Sequence, residues 1–128
     1  MTKRGKDDIQ WQSLKENVTK RDKEYCRLVK ILSVQEAYLL IEKAGSQLKI
    51  LDPAHYRARS ERPDLKYVPE NVVLLNRFSH GNLDDCKHPI TGKNISRQER
   101  NDWWIRILKG NKEQFDYLST NYYILTEV

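Results

Sequence analysis

The 128 residues carry 23 Lys and Arg against 18 Asp and Glu, a formal net charge of +5, with 32% charged and 38% hydrophobic residues. No apolar run approaches the roughly 20 residues that span a bilayer, the opening MTKRGKDDIQ lacks the apolar core of a secretory signal, and two cysteines, Cys26 and Cys86, are too few for a disulfide framework. One domain in a reducing cytoplasm is expected, and three Trp with seven Tyr supply large groups for its core.

Taken in order, residues 1–7 read as a basic, partly disordered arm. A helix is expected over about 8–21, because Trp11, Leu14 and Val18 recur at helical spacing. Ser33-Val-Gln-Glu36 has the form of a capping box, opening a helix that Gly45 ends. Gln47 to Asp52 mostly alternates polar and apolar, which predicts a short strand stopped by Pro53. Residues 56–70 carry two prolines and no periodicity and form a long loop, a feature that is usually functional in a compact domain. Val72 to Leu75 predicts a second strand and residues 77–85 a helix. Ser96-Arg-Gln-Glu99 has the form of another capping box, for a helix closing near Gly110, and a last helix is expected from about Asn111 to Leu118.

Three side chains stand out around this strand–loop–strand–helix stretch. His55 follows the first strand, Asn71 opens the second, and His80 lies in the helix after it. A lone histidine is ordinarily a solvated side chain; the ordered set on those elements carries the signal. With Ala54-His55, Asn71-Val72-Val73-Leu74-Leu75 and Phe78-Ser79-His80, the segment 48–86 resembles the HNH endonuclease family. Residues 11–30 resemble the lead-in of family members more loosely.

The resemblance implies an α+β fold: a small ββα-metal core over about 47–86, flanked by N-terminal helices and C-terminal helices over about 97–119, in one domain. It implies hydrolysis of DNA phosphodiester bonds with weak sequence preference. His55 would be the general base, a role suited to an imidazole whose ordinary pKa is near 6.5. Asn71 would pin the loop and orient His55 through its amide. A divalent ion, Mg²⁺ or Mn²⁺, would stabilise the leaving oxygen, held by His80 with Asp52 or Asp84; His80 and Asp84 are four apart and share a helix face. Arg57, Arg59, Arg62, Lys66 and Arg77 would contact the backbone of double-stranded DNA.

The chain departs from the family pattern in two ways. The residue directly before the first His, commonly a ligand, is Ala54, so the spaced form Asp52-Pro-Ala-His55 would have to serve. The positions of the family's two Cys-x-x-Cys pairs read Cys26…Val29 and Asn76…Ser79, so a structural zinc is not expected. Flanking helices would replace it, with Trp11, Tyr38, Leu39, Trp103, Trp104, Ile107, Phe115 and Leu118 as packing residues. A catalytically inactive DNA-binding module and an RNA-cleaving nuclease are the alternatives.

Overall fold

The structure, a computed structural model, describes residues 3–121. It is a mixed α+β chain in the order α1 (Lys3–Arg21), α2 (Val34–Ala44), β1 (Leu51–His55), β2 (Val72–Asn76), α3 (Arg77–Asp84), α4 (Arg97–Leu108) and α5 (Lys112–Asn121). β1 and β2 form a two-stranded antiparallel sheet in which His55 pairs with Val72 and Leu51 with Asn76. Among the described residues, no helix is long and apolar enough to cross a membrane.

The helical stripe of α1 buries as its spacing requires. Leu14 and Val18 pack with Val72 and Leu74, and Trp11 covers that group. The helix begins at Lys3, earlier than expected, so most of residues 1–7 continue α1 and do not form a separate arm. Ser33 and Glu36 make both bonds of the capping box, and Gly45 ends α2 at φ 56°. Ser96 caps α4 by accepting from the Glu99 N–H.

The first strand differs from the expectation. Gly45–Lys49 is a 3-10 turn, and β1 runs through Pro53 to His55. The register explains why proline is tolerated. Tyr56 N–H donates to the Asn71 carbonyl and Arg77 N–H to that of Ile50. Hydrogen-bonded pairs therefore alternate so that Pro53 and Leu74 form a non-hydrogen-bonded pair. The proline nitrogen faces away from β2 and removes no ladder bond.

The same alternation turns the polar groups of Val72, Leu74 and Asn76 to the outer edge of β2, where the segment after α1 satisfies them. Asp22 Oδ2 accepts from Leu74 N–H at 2.9 Å, and Arg27 N–H donates to the Leu74 carbonyl at 2.8 Å. Arg21 Nη2 donates to the Val72 carbonyl at 2.6 Å. Asn76 N–H donates to Cys26 Sγ at 3.2 Å. An exposed edge is thereby closed by side chains and loop backbone.

The main core gathers Leu28, Leu40, Leu65, Leu75, Leu83, Trp104, Ile107, Leu108 and Leu118, with Trp103 and Phe115 packed against it. Tyr38 and Leu39, expected among the packing residues, are 70% and 37% exposed. The buried face of α2 is carried by Leu40 and Ala44.

Candidate functional site

β1, the loop after it, α1 and α3 together line a cleft of about 500 Å³ that brings together His55, Asp52, His80 and Asp84, along with Trp11, Lys15, Arg59 and Arg100. Asp52 and His55 share the cleft although an odd separation in a strand points side chains to opposite faces. α3 packs back across the strand end and brings Arg77 and His80 to the Asp52 carboxylate.

His55 is half-buried. Its Nε2 lies 2.9 Å from the Lys66 carbonyl oxygen. A carbonyl can only accept, so Nε2 carries the proton and the Nδ1 lone pair is left available. The ring stacks on Trp11, with centroids 6.0 Å apart and planes 12° apart. Burial pushes its pKa below the ordinary 6.5, which keeps the imidazole neutral.

Asn71 is fully buried, and its amide bonds backbone groups of the loop and not the His55 ring. Its Oδ1 accepts from Arg57 N–H at 2.9 Å, and its Nδ2 donates to the carbonyls of Arg57 and Leu65 at 3.0 and 3.2 Å. These bonds clamp the two ends of the segment between His55 and β2.

His80 lies between two carboxylates. Nδ1 is 3.4 Å from Asp52 Oδ2, and Nε2 is 3.2 Å from Asp84 Oδ2. The Asp84 hydrogen bond, reinforced by Asp52, raises the His80 pKa above its ordinary value. Asp52 is also paired with Arg77 at 3.1 Å, and that bond is the main cause holding its carboxyl below the ordinary range. Both candidate carboxylates thus reach His80, but on opposite ring nitrogens. No group of three or more His, Cys, Asp or Glu side chains arranged to hold a metal ion occurs among the described residues. An ion at either nitrogen gains one imidazole and one carboxylate from the protein. That donor set fits a hard, water-rich ion such as Mg²⁺ or Mn²⁺ and not a closed zinc site. Ala54 is fully buried and paired with Val73, so its position faces the core.

The expected DNA-contacting cations divide. Arg57 pairs with Glu61, Arg62 with Asp64 and Arg77 with Asp52. Arg59 lies over the Trp11 ring at 5.6 Å and lines the cleft. Lys66 lies over Tyr67, and its carbonyl holds His55. Five residues lining the cleft are absent from the expected site, and three of them, Trp11, Lys15 and Arg100, carry aromatic or charged side chains. Trp11 and Lys15 are four apart on α1, a spacing that signals one face once the helix is known to reach the site. Arg100 lies on α4, outside the segment that carries the motif, and no sequence signal marks it.

The four positions matching the family's zinc-binding pairs are three buried residues and one half-exposed valine. Asn76 Nδ2 donates toward Cys26 Sγ at 3.4 Å and to Ser79 Oγ at 3.0 Å, while Asn76 Oδ1 accepts from Ser79 N–H at 2.9 Å. Ser79 Oγ donates to the Pro89 carbonyl at 2.8 Å. Val29 is 36% exposed and joins none of these bonds. No protein-family model, curated protein or solved structure matches this chain.

Proposed function

We propose that the chain is a metal-dependent endonuclease that hydrolyses DNA phosphodiester bonds through an HNH-like ββα core over about 47–86. The observation that carries this reading is the 2.9 Å contact of His55 Nε2 with the Lys66 carbonyl, which assigns the ring proton to Nε2. That Nε2–H is committed to the Lys66 carbonyl, and Nδ1 belongs to a ring lining the same cleft as Asp52, His80 and Asp84. A neutral imidazole with a free Nδ1 lone pair is equipped to take a proton from an attacking water. Asn71 keeps the loop that carries Lys66 in register with β2, so it is a positioning residue. Trp11 restricts the rotation of the His55 ring. Lys15 and Arg59 bring positive charge to the cleft for a phosphate.

His80 with Asp52 is the pair assigned to the ion, because Asp52 is set on β1 beside His55 and is the less exposed of the two carboxylates. When bound, Mg²⁺ or Mn²⁺ supplies positive charge at the scissile phosphate and its leaving oxygen. The hydrogen-bonded group of Cys26, Asn76 and Ser79 supports the family reading from a second direction: residues at positions matching the zinc pairs meet in space and hydrogen-bond to one another.

A second reading, an inactive DNA-binding module, draws on two observations. Ala54 offers no ligand, and Arg77 occupies the Asp52 carboxylate. Incubating supercoiled plasmid with the protein and Mg²⁺ or Mn²⁺ separates the readings. Conversion to nicked or linear DNA is expected; retained binding without any cleavage would establish the inactive module. RNA, cleaved in preference to DNA in a parallel reaction, would move the substrate assignment.

A further inference from the structure

A second cavity, of about 570 Å³, lies beside the cleft just described, and Asp84 and Arg100 line both. Its walls come from the start of α4 and from the residues following β1. Tyr56 and Trp104 supply aromatic surface, with ring centroids 5.7 Å apart. The cavity's two carboxylates are already engaged: Glu61 takes Arg57, and Asp84 takes His80.

The positive charge there is less fully used. Arg97 and Arg100 are three apart on α4 and share a face. Arg97 is exposed and has no hydrogen-bond or ion-pair partner among the described residues. Arg100 Nε donates to the Leu83 carbonyl, which anchors the side chain and leaves its other N–H groups without a partner among the described residues. Asn101 and Trp104 also line this cavity, and their Nδ2 and Nε1 donors are buried behind its surface without a partner among the described residues. Buried donors are normally satisfied. Two guanidinium groups with unpartnered N–H groups, beside carboxylates that are already paired, suit a ligand that only accepts hydrogen bonds and carries negative charge.

We infer that this cavity receives a phosphodiester of the bound DNA strand next to the one at His55, gripped by Arg97 and Arg100. The inference rests on the nuclease reading for the identity of the strand. Continuity through Asp84 and Arg100 makes the two cavities successive stations of one backbone, since phosphates along a strand repeat at a fixed short interval. Arg100 stands between the stations and can serve both. Charge held this way positions the strand without reading its sequence.

The test is binding of a fluorescent 12-mer DNA in EDTA across a salt series, for wild type, Arg97→Gln and the control Lys43→Gln on the exposed face of α2. Arg97→Gln removes one exposed charge at the start of a helix, and circular dichroism checks its fold. Its affinity should fall roughly tenfold at low salt, and its log–log salt slope should flatten by about 0.7–0.9. Lys43→Gln should bind as wild type. Replacing every phosphate of one strand of the 12-mer with a neutral methylphosphonate should weaken wild type more than Arg97→Gln. Arg97→Gln binding with wild-type affinity and slope would overturn the inference, even if plasmid cleavage by the wild type upholds the nuclease. Absent cleavage with the expected loss at Arg97 would do the reverse, upholding the cavity as a phosphate site and removing the nuclease.

Discussion

Arg27 Nη1 donates to Asp22 Oδ1 at 3.0 Å and to Gln114 Oε1 at 2.7 Å, so the Asp22–Arg27 pair ties the end of α1 to α5 across 87 residues of chain. Asp22 and Arg27 are 1% and 3% exposed. Desolvation works against the charge on each; at Asp22 the Arg21 and Leu74 bonds and the Arg27 charge outweigh it and hold the carboxyl below its ordinary range, while at Arg27 it outweighs the Asp22 pairing and lowers the guanidinium pKa. The pair matters to the site because Asp22 and Arg27 also hold β2, which directly follows Asn71 and carries Val72, the pairing partner of His55. Arg27→Ala leaves a buried carboxylate and a buried amide short of partners. A loss of about 3–5 kcal/mol is expected from urea unfolding, and a loss under about 1 kcal/mol would contradict this account of the network.

Asn71→Ala should also destabilise the fold, by about 2–4 kcal/mol, because one backbone N–H and two carbonyls lose their partner in a buried place. The urea midpoint measures this. An unchanged midpoint would mean that the loop is held by other contacts.

Removing metal should not unfold the protein. Cys26, Asn76 and Ser79 satisfy one another and the start of α3. The midpoint of thermal unfolding should be the same with and without chelator, whereas Asn76→Ala should lower it through the lost α3 cap and the orphaned Ser79 N–H, at about 1–2 kcal/mol. A chelator-induced loss of helical signal would contradict this account.

The Glu36–Arg106 pair should leave a pH signature. The Arg106 guanidinium holds the Glu36 carboxyl down to about 2 from an ordinary 4.5. The folded value is the lower one, so the stabilisation is present above about pH 4.5 and is lost as pH falls toward 2. Both side chains are partly exposed, at 31% and 42%, so solvent screening keeps the contribution under about 1 kcal/mol. Stability followed from pH 6 to pH 2 should converge for wild type and Glu36→Gln. A constant gap across that range would contradict the pairing.

Much of the frame was legible in the chain. The stripe of Trp11, Leu14 and Val18, the caps at Ser33 and Ser96, and the run after Asn71 each depend on neighbours within a turn or a strand, where residue type dictates local geometry. The misread strand end has a different cause. Pro53 is permitted by its pairing register with Leu74, which no local pattern reveals. The ion pairs of the cations were hidden for a related reason. Arg57, Arg62 and Arg77 stand as a basic group in the sequence, yet each meets a carboxylate in the fold. Asp22, Arg27 and Gln114 meet only through tertiary packing, and Arg100 reaches the cleft from a helix outside the motif.

The central claim is that His55 Nδ1 deprotonates the attacking water while Nε2 stays bonded to Lys66. The most direct measurement is plasmid nicking with Mn²⁺ by wild type and His55→Ala, paired with DNA binding in chelator. Loss of a general base costs roughly 10²–10⁴-fold in rate, and the histidine contributes no phosphate charge in its neutral form. His55→Ala should therefore lose at least about a hundredfold in cleavage and bind DNA nearly as wild type does. Equal cleavage rates for the two proteins would contradict the account.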